Sequence, residues 1–577
     1  MSRSLLLQNC RVYDPLHHID GEIMDIPIRD GKIVDSVPES ASRIDLSGLT
    51  VMAGGVDIHT HILGSKLNTA RAMCPEDHRA DPVAATKKTR SGVGFTLPSS
   101  FVTGYRYSTM GYTTVTEPAV PPVKALDCWE ELHDLTNVDI AMLPMLGNNM
   151  ITFDFVQQED LPGLAAYVSW ILHSTGGLGV KVVNPGGTYA WAHGKNVREL
   201  DTEIPDWRIT PRMILTSLCQ AVEMLGLPHP LHFHPNNLGK VGNVETTIAQ
   251  LESLKHIRGH NGRKHIVHLA HISFDALGMV EGGRPEWKDV HSGGLQLAEY
   301  ANANDHFTVD LGQITFGPAT TMTGDGPFQF SLYELTHSKW ANMTVDVELP
   351  GGAGIVPYTY DPKSPTNAVQ WAVSMEYALN IRDIWRCALS TDHPNAGPFT
   401  KYPLVLSWLM SKRQRDRWLT EMHPSVGQRS TVAESDREWS LYEVAIATRA
   451  APAVILGLQA TKGHLGVGAD ADIAVYDLRP DDIQRDPDRI VRAFSSAHLT
   501  VLGGRVVVKR GEVASTPHGR VWSSSPQVEE SLHRRVVGEV RERFSRWYAH
   551  SFDNYAVPVR YRAAFETPMA TPSVAES

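Results

Sequence analysis

The chain has 577 residues, is 42% hydrophobic and 20% charged, and carries a net charge of −11. That length exceeds one compact core, so a second domain or heavy elaboration of the first is expected, and the negative balance argues against a nucleic-acid partner. Five scattered cysteines (Cys10, Cys74, Cys128, Cys219, Cys387) against 26 histidines exclude a disulfide framework, a CxxC zinc site and an iron–sulfur cluster. No apolar run approaches the ~18–20 residues that cross a membrane. Met1 to Val12 has no basic stretch followed by a long apolar one, so no secretory leader is expected. A cytoplasmic, reducing compartment fits.

In chain order, the first fifty residues read as short strands and turns: Leu5 to Val12, Asp25 to Ile28, then the turn Arg29-Asp30-Gly31. The middle alternates strand and helix. Eight β candidates follow one another: Gly55 to His61, Thr113 to Glu117, Ile140 to Leu146, Val180 to Asn184, Leu231 to His234, His265 to Leu269, His306 to Leu311 and Arg386 to Ser390. Eight βα units predict a (β/α)8 TIM-like barrel. Two stretches rich in Gly, Pro, Thr and aromatics, 62–110 and 313–384, are long insertions that would lie on its catalytic face. Strand texture returns at Gly466 to Tyr476 and at the Gly-Gly hairpin Val501 to Val508. The expected division is therefore 1–52 and 441–515 as two parts of a small β-sandwich domain, with 53–440 as the barrel. Residues 516–577 form a helical and extended tail. Within the tail, Asp553 to Ala564 reads extended, Glu566 to Ser577 reads as lacking regular structure, and the whole suits a contact with other chains of an assembly.

The chemistry-bearing residues fall at strand ends. Asp57-Ile58-His59-Thr60-His61 places His59 and His61 on one face of a strand, where two imidazoles can share a metal. Lys181 lies between valines in Val180-Lys181-Val182-Val183. Burial would push its amine toward the neutral form, which reacts with carbon dioxide to give a carbamate able to bridge two metals. Its plainer alternative is an amine reaching out to water. His232 and His234 share a face of Leu231-His232-Phe233-His234-Pro235, and His268 or His271 stands at the end of the sixth strand. Each of these histidines could equally be a hydrogen-bonded core residue. Leu389-Ser390-Thr391-Asp392-His393-Pro394 ends an apolar strand in an aspartate that could bind metal and take a proton from water, or could simply shape a turn. Singly these signals are weak. Their order (HxH on strand one, Lys on four, His on five and six, Asp on eight) is the strong one, because barrel active sites lie at C-terminal strand ends.

This order resembles the amidohydrolase superfamily in its binuclear form with a carboxylated lysine, as in hydantoinases and dihydroorotases. Gly111 to Val115 and Lys462 to Ile473 fit that family too. VKVVNPGG (Val180 to Gly187), HFHPNNLG (His232 to Gly239), VHLAHISFDALG (Val267 to Gly278) and LSTDHPNAGPFT (Leu389 to Thr400) are similar to the family formed by the A subunits of formylmethanofuran dehydrogenase and of the bacterial formyltransferase/hydrolase complex. So is the insertion carrying Asn68, Arg71 and Arg79. The arginine-rich composition tilts the reading toward the bacterial form. The resemblance implies two divalent ions, by donor type zinc, with His59, His61 and Asp392 on one and carboxylated Lys181 bridging. One histidine of His232/His234 and one of His268/His271 would hold the other; His232 and His271 are favoured, with His234 and His268 as alternatives. It also implies hydrolysis of N-formylmethanofuran to formate and methanofuran in one-carbon metabolism, within a multi-subunit complex, with Asp392 as the catalytic proton carrier. Asn236, Asn237, His393 and Asn395 are candidates for orienting the formamide. The alternatives are the formate-condensing component of a formylmethanofuran dehydrogenase, or a free-standing hydantoinase/dihydropyrimidinase-like enzyme acting on cyclic amides.

Overall fold

The computed structural model describes residues 4–195, 197, 199–340, 354–548 and 551–574. All eight segments expected as barrel strands are strands: Gly55–Asp57, Tyr112–Val120, Asp139–Leu146, Lys181–Val183, Leu231–His234, Val267–Leu269, Phe307–Asp310 and Cys387–Ala388. Parallel pairings link them in that order. A parallel bridge between Thr60 and His393, where the His61 N–H donates to the His393 carbonyl at 2.7 Å, joins the last strand to the first. Every residue of these strands is buried, as a parallel sheet covered by helices requires.

Register decides height inside the barrel. Lys181, His232, His268 and Thr308 lie side by side on neighbouring strands and form one inward layer. His234 is two residues further along its strand, roughly 6–7 Å closer to the C-terminal mouth.

Strands within 4–53 and 473–513 build one sheet. Thr50–Ala53 pairs with Ile473–Tyr476, and nine strands from Ser4–Asp14 to Glu512–Val513 are joined by hydrogen bonds. They enclose their own core of Leu7, Val12, Ile28, Val51, Ile473 and Val501.

The two insertions meet over the barrel mouth. They share a small core of Leu67, Ala70, Cys74, Leu97, Met322 and Ile355, and the Thr96 and Thr320 hydroxyls are 2.9 Å apart. Residues 341–353 of the second insertion lie outside the described residues.

The tail folds onto its own barrel. Val521–Val528 pairs in parallel with the start of the third barrel strand, on the edge left open because the fourth strand pairs only with its end. Glu566–Val574, expected without regular structure, is a strand paired to Val521–Val528. Helix Glu530–Trp547 buries Leu532, Val536, Val540 and Phe544, a stripe at every fourth residue. The stretch read as extended instead holds the end of a 3-10 helix, Phe552–Asn554, and the short helix Val559–Arg562. Its Tyr555 packs on Trp170 at 5.1 Å between ring centres, because the outer face of helix Leu161–Thr175 is apolar and needs cover.

A buried ionic cluster ties the three parts together. Lys462 Nζ lies 2.5 Å from Asp139 of the third barrel strand and also pairs with Asp470 and Asp472. Arg520 from the tail reaches Asp139 and Asp470. This accounts for the Lys462 to Ile473 motif: it supplies the lysine and two of the three carboxylates.

Candidate active site

At the C-terminal mouth, His59, His61, Lys181, His234, His271, Asp392 and Asn395 line one narrow cavity of about 10 Å3, close to the room one water needs. Ala119, Val183, Leu238, Phe274 and Phe328 supply its apolar walls.

Asp392 Oδ1 sits 3.1 Å from His59 Nε2 and 3.2 Å from His61 Nε2, and these three residues form a cluster able to hold a metal ion. Burial opposes ionisation of Asp392, but His271, His59 and His61 hold its carboxyl well below the usual range. Asn395 donates to the same Oδ1 at 2.8 Å and fixes the carboxylate's direction. Lys181 is buried, and its Nζ has no hydrogen-bond partner among the described residues. Burial pushes its amine down to about 8 against the pull of Asp310, Asp392 and Asp275, so a useful fraction is neutral near physiological pH. An unpartnered buried amine among imidazoles and a carboxylate fits the donor set of a carbamate-bridged metal pair, and nothing in its surroundings satisfies it as a plain ammonium.

Carboxylates stand behind the imidazoles, as they do where histidines bind metals. His61 Nδ1 is 3.0 Å from Glu117, whose other oxygen accepts the Ile62 and Leu63 N–H groups. His59 Nδ1 is 3.1 Å from Asp310, His271 Nδ1 is 3.1 Å from Asp275, and His234 Nε2 is 3.2 Å from Asp325. Sequence reasoning singles out none of these four acids. The available signal is position: Asp310 ends an apolar barrel strand and Glu117 lies in the C-terminal half of another, Tyr112–Val120.

His271 and Asp392 have φ of +34° and +45°, a left-handed backbone that costs energy outside glycine and is held only by its surroundings. Gly312 lets the chain pass His271, since a Cβ there would be 2.5 Å from the His271 Cα.

The paired histidines separate by depth. His271 and His234 face the cavity. His268 lies in the layer below, between Thr308 and Asp310, and His232 faces His59 and His229. Of the four residues expected to orient a formamide, Asn395 reaches the cavity. Asn236 is engaged with Asn184, Pro185 and Gln250, Asn237 lines an outer pocket, and His393 is buried against Phe399. Asn68 and Arg71 of the first insertion bind Glu131, at the end of helix Ala125–Glu131.

A parallel barrel with imidazoles, a buried lysine and an aspartate at its strand ends is the architecture of metal-dependent amidohydrolases. A family model described as amidohydrolase family matches residues 43–508, and the chain belongs to that family. Protein FwdA of Methanocaldococcus jannaschii is 45% identical over 563 residues, covering 96% of this chain and 97% of that protein. The A subunit of the formyltransferase/hydrolase complex Fhc of Methylorubrum extorquens is 34% identical over 551 residues, 95% of each. A crystal structure of the formyltransferase/hydrolase complex FhcABCD from Methylorubrum extorquens, in complex with methylofuran, contains a chain that superposes with a TM-score of 0.89 at 32% identity, covering 99% of this chain and all of that one. Family and barrel are those of a hydrolase. Among the described residues, no helix is long and apolar enough to cross a membrane.

Proposed function

We propose that this chain hydrolyses the formamide of N-formylmethanofuran, or a close analogue, to formate and the free amine, as the hydrolytic component of a formyltransferase/hydrolase-type complex. The observation that carries this reading is the cavity itself. It gathers His59, His61, Lys181, His234, His271 and Asp392 at the C-terminal strand ends, the donor set that a metal-assisted hydrolysis needs. His59, His61 and Asp392 would hold one divalent ion, His234 and His271 a second, with carboxylated Lys181 between them. His234 replaces the favoured His232 in this assignment because it faces the cavity. Zinc suits an imidazole-rich set.

When bound, such ions acidify water to a pKa of roughly 7 and polarise a carbonyl oxygen. The protein does the rest. The Asp392 carboxylate, held by Asn395, takes a proton from the attacking water and returns it to the leaving nitrogen, so that it acts as base and then as acid. Phe274, Phe328 and Leu238 keep bulk water from the formyl carbon. The reverse path condenses formate with the amine. Condensation is the second reading, and co-purification with redox subunits rather than a formyltransferase would select it. A free-standing cyclic amidohydrolase is disfavoured, since the dihydroorotase of Syntrophus aciditrophicus matches 10% of this chain.

Asp392→Asn tests the proton role. The variant is expected to keep its metal and to release formate from N-formylmethanofuran at least ~100-fold more slowly, the usual weight of a positioned acid–base group. Wild-type turnover would overturn it.

A further inference from the structure

A second cavity, of about 640 Å3, shares no lining residue with the one at the barrel mouth. Loop 83–89 of the first insertion, helix Ser100–Thr109 and the strand Glu512–Val513 of the small sheet supply its walls. We propose that this cavity is a binding site for a small organic oxyanion, a phosphate or carboxylate carried on an apolar body.

Charge gives the first argument. Lys87, Lys88 and Arg106 line the cavity against one acid, Glu512, in a chain whose net charge is −11. The ion pairs around the loop are Arg90–Asp134 at 2.6 Å and Arg106–Asp81 at 3.7 Å, and Lys87 and Lys88 enter none among the described residues. Arg106 donates to the Gly94 and Asp81 carbonyls at 2.5 and 2.9 Å, which leaves guanidinium N–H groups over for a ligand. The two lysines are presented by a fixed turn. Thr86 Oγ1 accepts from the Lys88 and Thr89 N–H groups, both at 3.1 Å, and the Val83 and Gly92 backbones exchange two hydrogen bonds at 2.8 and 2.9 Å. A turn already in place has little ordering entropy left to lose when an anion arrives.

The remaining walls differ in kind. Tyr105 and Met110 are buried and Val513 is partly buried, so the cations stand beside an apolar surface. A bare inorganic ion would leave that surface uncovered, whereas an apolar body attached to the anion removes it from water. Thr400 Oγ1 is buried at the same cavity without a hydrogen-bond partner among the described residues, and a ligand oxygen would satisfy it. Concavity, and a volume within the ~300–1,000 Å3 of small-molecule sites, favour a small ligand over a partner chain.

Titration calorimetry on the full-length chain tests the proposal, with phenyl phosphate, benzoate and phenol as probes. Phenyl phosphate or benzoate should bind saturably with a Kd below about 1 mM and raise the thermal midpoint, and the tighter of the two identifies the oxyanion. Phenol, which has the ring without the charge, should bind at least ~10-fold more weakly. The double variant Lys87→Gln/Lys88→Gln, at two exposed positions, should weaken the oxyanion at least ~10-fold while the chain stays folded. Lys181→Ala should bind the probe as wild type does, which separates this site from the barrel mouth and from the hydrolytic reading; loss of binding there would place the probe at the mouth and overturn the proposal. So would the absence of saturable binding by either oxyanion up to about 10 mM, a far weaker affinity than a built site gives. Phenol bound as tightly as phenyl phosphate, or a folded double variant with wild-type affinity, would overturn it as well. Binding to the chain alone that disappears in the assembled complex would show that a partner fills the cavity, and would refute the small-ligand assignment.

Discussion

Asp310→Asn isolates the role of charge behind the site. Asp310 is fully buried, and His59 and His268 hold its carboxyl well below the usual range against the cost of burial. One oxygen serves His59 Nδ1 at 3.1 Å and His268 Nε2 at 3.2 Å, and the other accepts from the Ser390 hydroxyl. An asparagine can keep this shape: its carbonyl faces the two imidazoles, and its NH2 faces Ser390, whose hydroxyl turns to accept. What is lost is the charge. A hydrogen bond to a charged group is worth about 1.5–3 kcal/mol and a neutral one about 0.5–1.5. Only the bond to His59 bears on a proposed metal ligand, and that one downgrade comes to roughly 1 kcal/mol, which corresponds to roughly fivefold in an equilibrium constant. Because a buried carboxylate is itself costly, its removal offsets the loss in global stability, and thermal unfolding should move little. The loss should appear where His59 must present an electron-rich nitrogen, as zinc affinity about fivefold weaker by chelator competition. A folded Asp310→Asn within twofold of wild type would refute the idea that this carboxylate tunes the site.

Lys462→Met should leave Asp139, Asp470 and Asp472 buried around no lysine, costing about 3–5 kcal/mol in chemical denaturation; an unchanged midpoint would show that the cluster does not tie sheet, barrel and tail together. Burial opposes ionisation of Asp470, but Lys462, Arg520 and Lys32 hold it down at about 2. The unfolded chain therefore takes up that proton first, and the stability Asp470 contributes is present above about pH 4 and lost as pH falls toward 2. Asp470→Asn should flatten that part of a stability–pH curve. Gly312→Ala adds a Cβ 2.5 Å from the His271 Cα at a φ of +52°. A cost of about 1–3 kcal/mol from overpacking and a displaced His271 should lower metal content and turnover together, and full metal occupancy would count against it.

The barrel was legible because each strand is a short apolar run ending in polar residues, and the order of His59, His61, Lys181 and Asp392 along the chain is what the proposed chemistry rests on. The choice between His232 and His234 was not. A period of two puts both on the same face, and only the register with Lys181 shows that one lies a layer deeper. Glu117, Asp275, Asp310 and Asp325 were invisible because an acid beside a turn reads as a cap until the imidazole it supports is in place. The tail was half legible. Its helix was expected, but Val521–Val528, with Ser523-Ser524-Ser525-Pro526-Gln527 at its middle, and the strand Glu566–Val574 that pairs with it lack an apolar run, and they depend on an open edge that exists only once the barrel has formed.

Lys181 is proposed as the pivot of a metal centre that hydrolyses formamides, and everything else assigned to the cavity depends on that role. The deciding measurement is formate release from N-formylmethanofuran, taken together with metal content on the same assembled complex, for wild type and Lys181→Ala. Wild type is expected to hold about two divalent ions per chain and to release formate, and the variant to hold fewer and release none detectable. A Lys181→Ala chain with both ions and full turnover would show that the lysine neither bridges metals nor supports the reaction.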